Sequence, residues 1–174
     1  LRRALVKSLE KNGTVLTLRK GFQMAGYQTI ECMAGYPDDE RLPGAREKYD
    51  ANILRFMHQG HYPTAGGKSV DFALFVNGIP VATGEVKTEL TQTVQDAIDE
   101  YVDERKAVEP DGGRKNPLLM YKRGAAVHFA VSEDEVWMCT NLGPFPSKEA
   151  KPRCLPFNLG RDGGAGNPDA PEGE

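Results

Sequence analysis

Asn77-Gly78 sits between two β-rich runs, Val70-Asp71-Phe72-Ala73-Leu74-Phe75-Val76 and Ile79-Pro80-Val81-Ala82-Thr83-Gly84-Glu85-Val86-Lys87. Both central positions of a type I′ turn need φ > 0, which Asn and Gly tolerate, so the segment predicts a β-hairpin. Pro80 falls at the start of the return strand, where a missing N–H matters least. Side chains two apart on a strand share a face, so Glu85 and Lys87 point one way and Val86 the other. In an ideal two-residue hairpin Val76 faces Ile79, and Asp71 then faces Gly84. A bulge or a one-residue shift would set Asp71 beside Glu85. Two carboxylates and one ammonium would then converge at one end of the hairpin.

The flanking sequence fills in the layers. Leu1, Ala4, Leu5 and Leu9 share a helical face, and Asn12-Gly13 is a stop, so residues 1–12 predict a helix. Val15, Leu16, Leu18, Phe22, Tyr27 and Ile30 alternate loosely, which predicts a strand or hairpin over 14–33. A loop over 35–44, a short helix from 45 to about 52, and a strand through Leu54, Phe56 and His58 follow. From Thr91, a fair N-cap, to about Val108 the period becomes helical, with Val94, Ala97, Ile98, Tyr101 and Val102 on one face. Ala125–Val131 and Glu135–Thr140 predict two further strands. The order implies a mixed central β-sheet flanked by helices, an α/β or α+β domain. Beyond Arg161 no residue is both apolar and larger than Ala, apart from Pro, so 161–174 predicts an extended tail behind a domain over 1–160. Leu1 in first place and a tail ending in a loop suggest a piece of a longer protein.

Composition narrows the function classes. With 22 basic and 25 acidic residues, the net charge of −3 argues against a free-standing, high-affinity DNA binder. No run approaches the length of a membrane span, and the first residues are too polar for a secretory signal. Cys32, Cys139 and Cys154 form neither a disulfide framework nor a zinc set, which suggests a reducing cytoplasm.

Two carboxylates with a nearby lysine suit metal-assisted phosphodiester hydrolysis. Mg²⁺ takes oxygen ligands and keeps several waters, and Mn²⁺ can substitute for it. It polarises the phosphate and acidifies an attacking water. Asp71 and Glu85 would be ligands, with the Val86 carbonyl as a third, and Lys87 would orient the water or offset phosphate charge. Gly84 would leave room for the phosphate backbone. An exposed cross-strand salt bridge accounts for the same three side chains, and spacing alone favours it.

Several ordered blocks carry more specific information. These are Gly13-Thr14-Val15-Leu16-Thr17-Leu18-Arg19-Lys20-Gly21-Phe22, Tyr49-Asp50-Ala51-Asn52, and the whole hairpin from Val70 to Lys87. Leu90-Thr91-Gln92-Thr93-Val94-Gln95-Asp96-Ala97-Ile98-Asp99-Glu100-Tyr101 follows. Later come Val127-His128-Phe129-Ala130-Val131, Leu155-Pro156-Phe157-Asn158-Leu159-Gly160 and Gly163-Gly164-Ala165-Gly166-Asn167-Pro168. Together they resemble the N-terminal nuclease region of the R (restriction and motor) subunit of type I restriction enzymes. The resemblance implies the PD-(D/E)xK fold, with Asp71, Glu85 and Lys87 in its three signature positions. It implies Mg²⁺-dependent cleavage of double-stranded DNA, with ATP used only by a motor domain outside this chain. It also implies methyltransferase and specificity subunits as partners. The rivals are a catalytically weak docking module and another PD-(D/E)xK enzyme, such as a repair nuclease.

The chain departs from the family pattern. Val70 replaces the proline that names the motif. Glu100 takes the position of a supporting glutamine, and Glu104 that of the tyrosine four residues on. Gln95 and Tyr101 are the nearest substitutes. Lys68, just ahead of the hairpin, is a candidate phosphate contact or an ordinary surface lysine. His58 and His61 lack a third metal ligand, and His128 reads as a core or edge histidine. Glu10, Glu31 and Glu47 read as solvated acids, Glu89 as a residue favouring the helix start, and Trp137 and Tyr121 as packing residues.

Overall fold

The structure is a computed structural model that describes residues 1–39, 41–61, 68–88, 92–109, 115–145, 147 and 150–158. The tail expected over 161–174 and the proposed roles of Glu89 and Thr91 lie outside the described residues. A six-stranded sheet runs in sequence order through β1 (Leu54–His61), β2 (Ser69–Val76), β3 (Ile79–Val86), β4 (Val127–Val131), β5 (Val136–Cys139) and β6 (Leu155–Pro156). All neighbours are antiparallel except β3 and β4, which are parallel. The sheet is mixed and carries helices, as expected for an α+β restriction-endonuclease-like domain.

The β2–β3 hairpin forms on the predicted turn, with Asn77 at φ 50° and Gly78 at φ 82°. The Asn77 side chain also braces β1, accepting from the Ile53 amide at 2.7 Å and donating to the Cys32 carbonyl at 2.8 Å. Val76 pairs with Ile79 and Phe75 with Pro80, but Leu74 pairs with Ala82. Val81 is thus the extra residue of a β-bulge. Beyond the bulge Phe72 faces Gly84, so the register carries Asp71 opposite Glu85. The shift that the carboxylates need is present.

The N-terminal segment differs from expectation. Helix α1 (Arg2–Asn12) ends at Gly13, and residues 14–20 form a second helix, α2 (Thr14–Lys20), rather than a strand. Its buried positions are Thr14, Thr17 and Leu18, spaced i, i+3 and i+4. Two of these are threonines, so the helical stripe is invisible to a search for apolar residues. The Thr14 hydroxyl is placed to donate to the carbonyls of Arg123 and Gly124, and the Ser8 and Thr17 hydroxyls meet at 3.0 Å between the helices. A single bridge, Phe22 to Ile30, is what remains of the expected hairpin.

Helix α3 (Ala45–Asp50) matches its prediction closely. The long helix expected from Thr91 is shorter. Helix α4 (Val94–Asp99) starts on Thr93, whose capping box with Asp96 satisfies the first turn, and passes into a π-helical turn at Glu100–Glu104. The core gathers Val70, Ala73, Tyr101, Ala107, Leu119, Cys139 and Leu142, with Ala97, Ile98 and Ala130 in a second cluster.

Candidate active site

A parallel strand pair requires a crossover, and the chain between β3 and β4 carries α4 and the π-turn back to the sheet. Thr83, Glu85 and Lys87 alternate along β3 onto one face. Thr83 and Glu85 are buried, with Glu85 only 1% exposed, and Lys87 is nearly so. Lys87 lies just past β3, but its amide still donates to the Val131 carbonyl at 2.8 Å.

The π-turn supplies the groups that meet this face. Its wider winding lets the Arg105 amide donate to the Glu100 carbonyl five residues back, at 2.8 Å. The Arg105 side chain then bridges two acids: Nε donates to Glu85 Oε1 at 2.6 Å and Nη2 to Glu100 Oε2 at 2.8 Å. The other Glu100 oxygen takes the Lys87 ammonium. Glu85, Arg105, Glu100 and Lys87 thus form one chain of alternating charge. Asp71 stands at its edge, its Oδ2 accepting from the Val86 amide at 2.7 Å.

The electrostatics follow from burial and these contacts. Burial, reinforced by neighbouring Glu100, drives the Glu85 carboxyl up to about 7 against the pull of Arg105. Burial raises Glu100 too, but bonds to Lys87 and Glu85 and the Arg105 charge outweigh it, so its pKa falls. Near neutral pH, Glu85 is therefore the protonated partner of the acid pair for part of the time. Burial lowers the Lys87 ammonium, yet Glu100 and the nearby charges of Asp71 and Glu85 prevail and raise it. Asp71, Glu85 and Lys87 thus share one electrostatic neighbourhood.

A neutral layer lies along the same strand. The Thr83 hydroxyl meets the Tyr101 hydroxyl at 2.9 Å and His128 Nδ1 at 2.7 Å. His128 is the expected core histidine, and burial lowers its pKa to about 4. Tyr101 is buried in this layer and bonds to Thr83, so it is a packing and hydrogen-bonding group here.

Of the candidate supporting residues, Glu100 joins the site and Gln95 does not. Gln95 is exposed and donates to Asp99 on its own helix at 2.8 Å, because its position in α4 turns it to solvent. Lys68 donates to the Glu104 carbonyl at 3.1 Å, at the end of the π-turn. Gly84 does not hold open space for a ligand: a Cβ there would lie 2.1 Å from the Phe72 ring. His58 and His61 are exposed on β1. Glu10 pairs with Arg123 at 2.9 Å, and Glu31 and Glu47 are exposed. Trp137 packs against the second core cluster, whereas Tyr121 is exposed with Lys122 over its ring.

Sequence reasoning missed Arg105 and Thr83. Thr83 was accessible, being two residues before Glu85 on the same strand face. Arg105 was not, since only the π-period brings it beside Glu100, and a 3.6-residue pattern does not anticipate that.

Among the described residues no group of three or more His, Cys, Asp or Glu side chains is arranged to hold a metal ion. The donors that would hold an ion are Asp71, Glu85 and the Val86 carbonyl, with Glu85 Oε1 accepting from Arg105 and Asp71 Oδ2 from the Val86 amide. An all-oxygen set of that size fits the chemistry of Mg²⁺, which retains most of its water. No helix among the described residues is long and apolar enough to cross a membrane.

Comparison with known proteins agrees with this architecture. No curated protein and no solved structure matches the chain. The family model for the type I restriction enzyme R protein N terminus matches residues 39–147, from the loop before α3 through β1–β5. A match over that much of the chain, containing the hairpin, the crossover and the acid pair, shows that the chain belongs to the family of type I restriction enzyme R protein N-terminal regions.

Proposed function

We propose that this domain is a Mg²⁺-dependent endonuclease that hydrolyses phosphodiester bonds of duplex DNA after a motor domain of the same R protein has translocated it. The observation that carries the reading is the bulge at Val81, whose register brings Asp71 opposite Glu85 with Lys87 on the Glu85 face. Asp71, Glu85 and the Val86 carbonyl would hold the metal, which when bound supplies phosphate polarisation and a more acidic water. Lys87 serves as a fixed positive charge for the scissile phosphate or its attacking water. Glu100 replaces the family glutamine with a different function: it aims Lys87 and anchors Arg105. Lys68, beside the π-turn, is a candidate phosphate contact. Methyltransferase and specificity subunits are the expected partners, within a cytoplasmic restriction complex.

A second reading, a catalytically weak docking module, draws on the ion pairs that Glu85 and Lys87 already make with Arg105 and Glu100. Cleavage by the assembled complex separates the two. Asp71→Ala and Lys87→Ala are expected to abolish cutting and leave ATP hydrolysis largely intact. Cutting retained in either variant would overturn the nuclease assignment.

A further inference from the structure

The net charge of −3 conceals a strong asymmetry. Residues 1–20 carry six basic side chains (Arg2, Arg3, Lys7, Lys11, Arg19, Lys20) against one acid, Glu10, whereas the other 154 residues carry 16 basic and 24 acidic. All six cations are exposed, and none forms an ion pair among the described residues. Glu10 is itself neutralised by Arg123 at 2.9 Å.

Helix stability does not explain this pattern. Arg3, Lys7 and Lys11 stand at i, i+4 and i+8, one stripe along α1, where like charges repel each other. Arg2 and Arg3 occupy the first turn, the end at which the helix dipole disfavours positive charge, and no acid accompanies them there. Lys11, Arg19 and Lys20 do sit in last turns, where the dipole favours them. Arg3 and Lys7 therefore break local rules, and only Lys11 is compensated by the helix dipole, as is expected where charge serves a partner. Lys7 and Lys11 also line one groove with Asn12 and Gln23. Helix α2, which packs on α1, also packs against β3, the strand that bears Glu85. Both helices precede the matched family range.

We infer that the Arg3–Lys7–Lys11 stripe of α1 binds the phosphate backbone of duplex DNA and holds it against the domain. The inference rests on the reading of the domain as acting on DNA. Phosphate contacts of this kind are independent of sequence and sensitive to salt.

The test is fluorescence anisotropy of the full chain with a labelled duplex from 50 to 200 mM salt, in EDTA so that no cleavage occurs. For Arg3→Gln/Lys7→Gln/Lys11→Gln, affinity is expected to fall at least about tenfold. The slope of log K against log salt should shrink by roughly 2 to 3, about 0.9 for each phosphate that the variant leaves unneutralised. The charge-keeping Arg3→Lys/Lys7→Arg/Lys11→Arg variant should bind as the parent does, and an unchanged circular dichroism melt shows that the Gln variant is folded. Unchanged affinity and slope in a folded Gln variant would overturn the inference. So would a parent that ignores duplex DNA but binds polyglutamate, which would assign the stripe to an acidic protein. The two proposals stay separable: duplex bound through the stripe but left uncut by the assembled complex with Mg²⁺ would sink the nuclease reading alone.

Discussion

Replacing Glu85 with Gln keeps its shape and removes its ionisation, which makes the electrostatic account of the site measurable. The native carboxyl titrates at about 7 against an ordinary value of 4.5. Between those values the folded chain holds one proton more than the unfolded chain, so stability falls as pH rises. Each pH unit inside the window is about 1.4 kcal/mol, so the interval from pH 5 to 8 carries a loss of roughly 2–3 kcal/mol. Glu100 acts in the opposite sense: its lowered pKa adds stability that is lost only as pH falls below the ordinary glutamate range. His128, at about 4 instead of 6.5, raises stability as pH climbs between those values, in parent and variant alike. The difference between the two proteins therefore isolates Glu85. Urea denaturation in EDTA at pH 5 and pH 8 is the assay. The parent should lose roughly 2–3 kcal/mol relative to Glu85→Gln across that interval. Parallel behaviour of the two proteins would refute the claim that burial keeps Glu85 partly protonated near neutrality.

Two packing predictions accompany it. Gly84→Ala puts a Cβ 2.1 Å from the Phe72 ring, which stacks on Phe56 at 5.7 Å; overpacking of this kind costs about 1–3 kcal/mol by denaturant melt. Phe72→Ala should cost less in the Gly84→Ala background than in the parent, and equal costs would dismiss the contact. Thr83→Val strands the Tyr101 hydroxyl and His128 Nδ1 in the core, a loss of about 1–3 kcal/mol. Tyr101→Phe in the same background should recover part of that loss; a further loss would count against the hydroxyl pairing.

The parts of the fold legible in the sequence are those whose chemistry is local. Asn77-Gly78 announced its turn, and period-2 spacing put Glu85 and Lys87 on one face. The bulge was recognisable as a need of the site, though its location at Val81 was not, because a bulge reflects strand-pair twist more than residue type. Helix α2 does not show in the apolar pattern because threonines fill its buried stripe. The counterions of the acids lay beyond local reasoning, since Arg105 reaches Glu85 across 20 residues and only through the π-turn. Gly84 reads in sequence as room for a ligand, yet its open side belongs to Phe72. In each miss, the deciding contact came from another element.

The parallel pairing of β3 with β4 also sets an order of assembly. The β2–β3 hairpin closes over a two-residue turn, whereas Ala82 meets Val127 only after the whole crossover has returned to the sheet. Loop-closure entropy makes the first event fast and the second slow. Asp71 and Glu85 thus come side by side early, while Glu85 is still hydrated and ionised. The proton uptake of Glu85 belongs to the late docking step that brings Arg105 and Glu100 over it. Refolding of the parent should therefore gain on that of Glu85→Gln as pH falls towards the ordinary glutamate range, where the carboxyl enters the core already neutral; the opposing protonation of His128 is common to both and cancels in the stopped-flow comparison, and an unchanged rate ratio would refute the order.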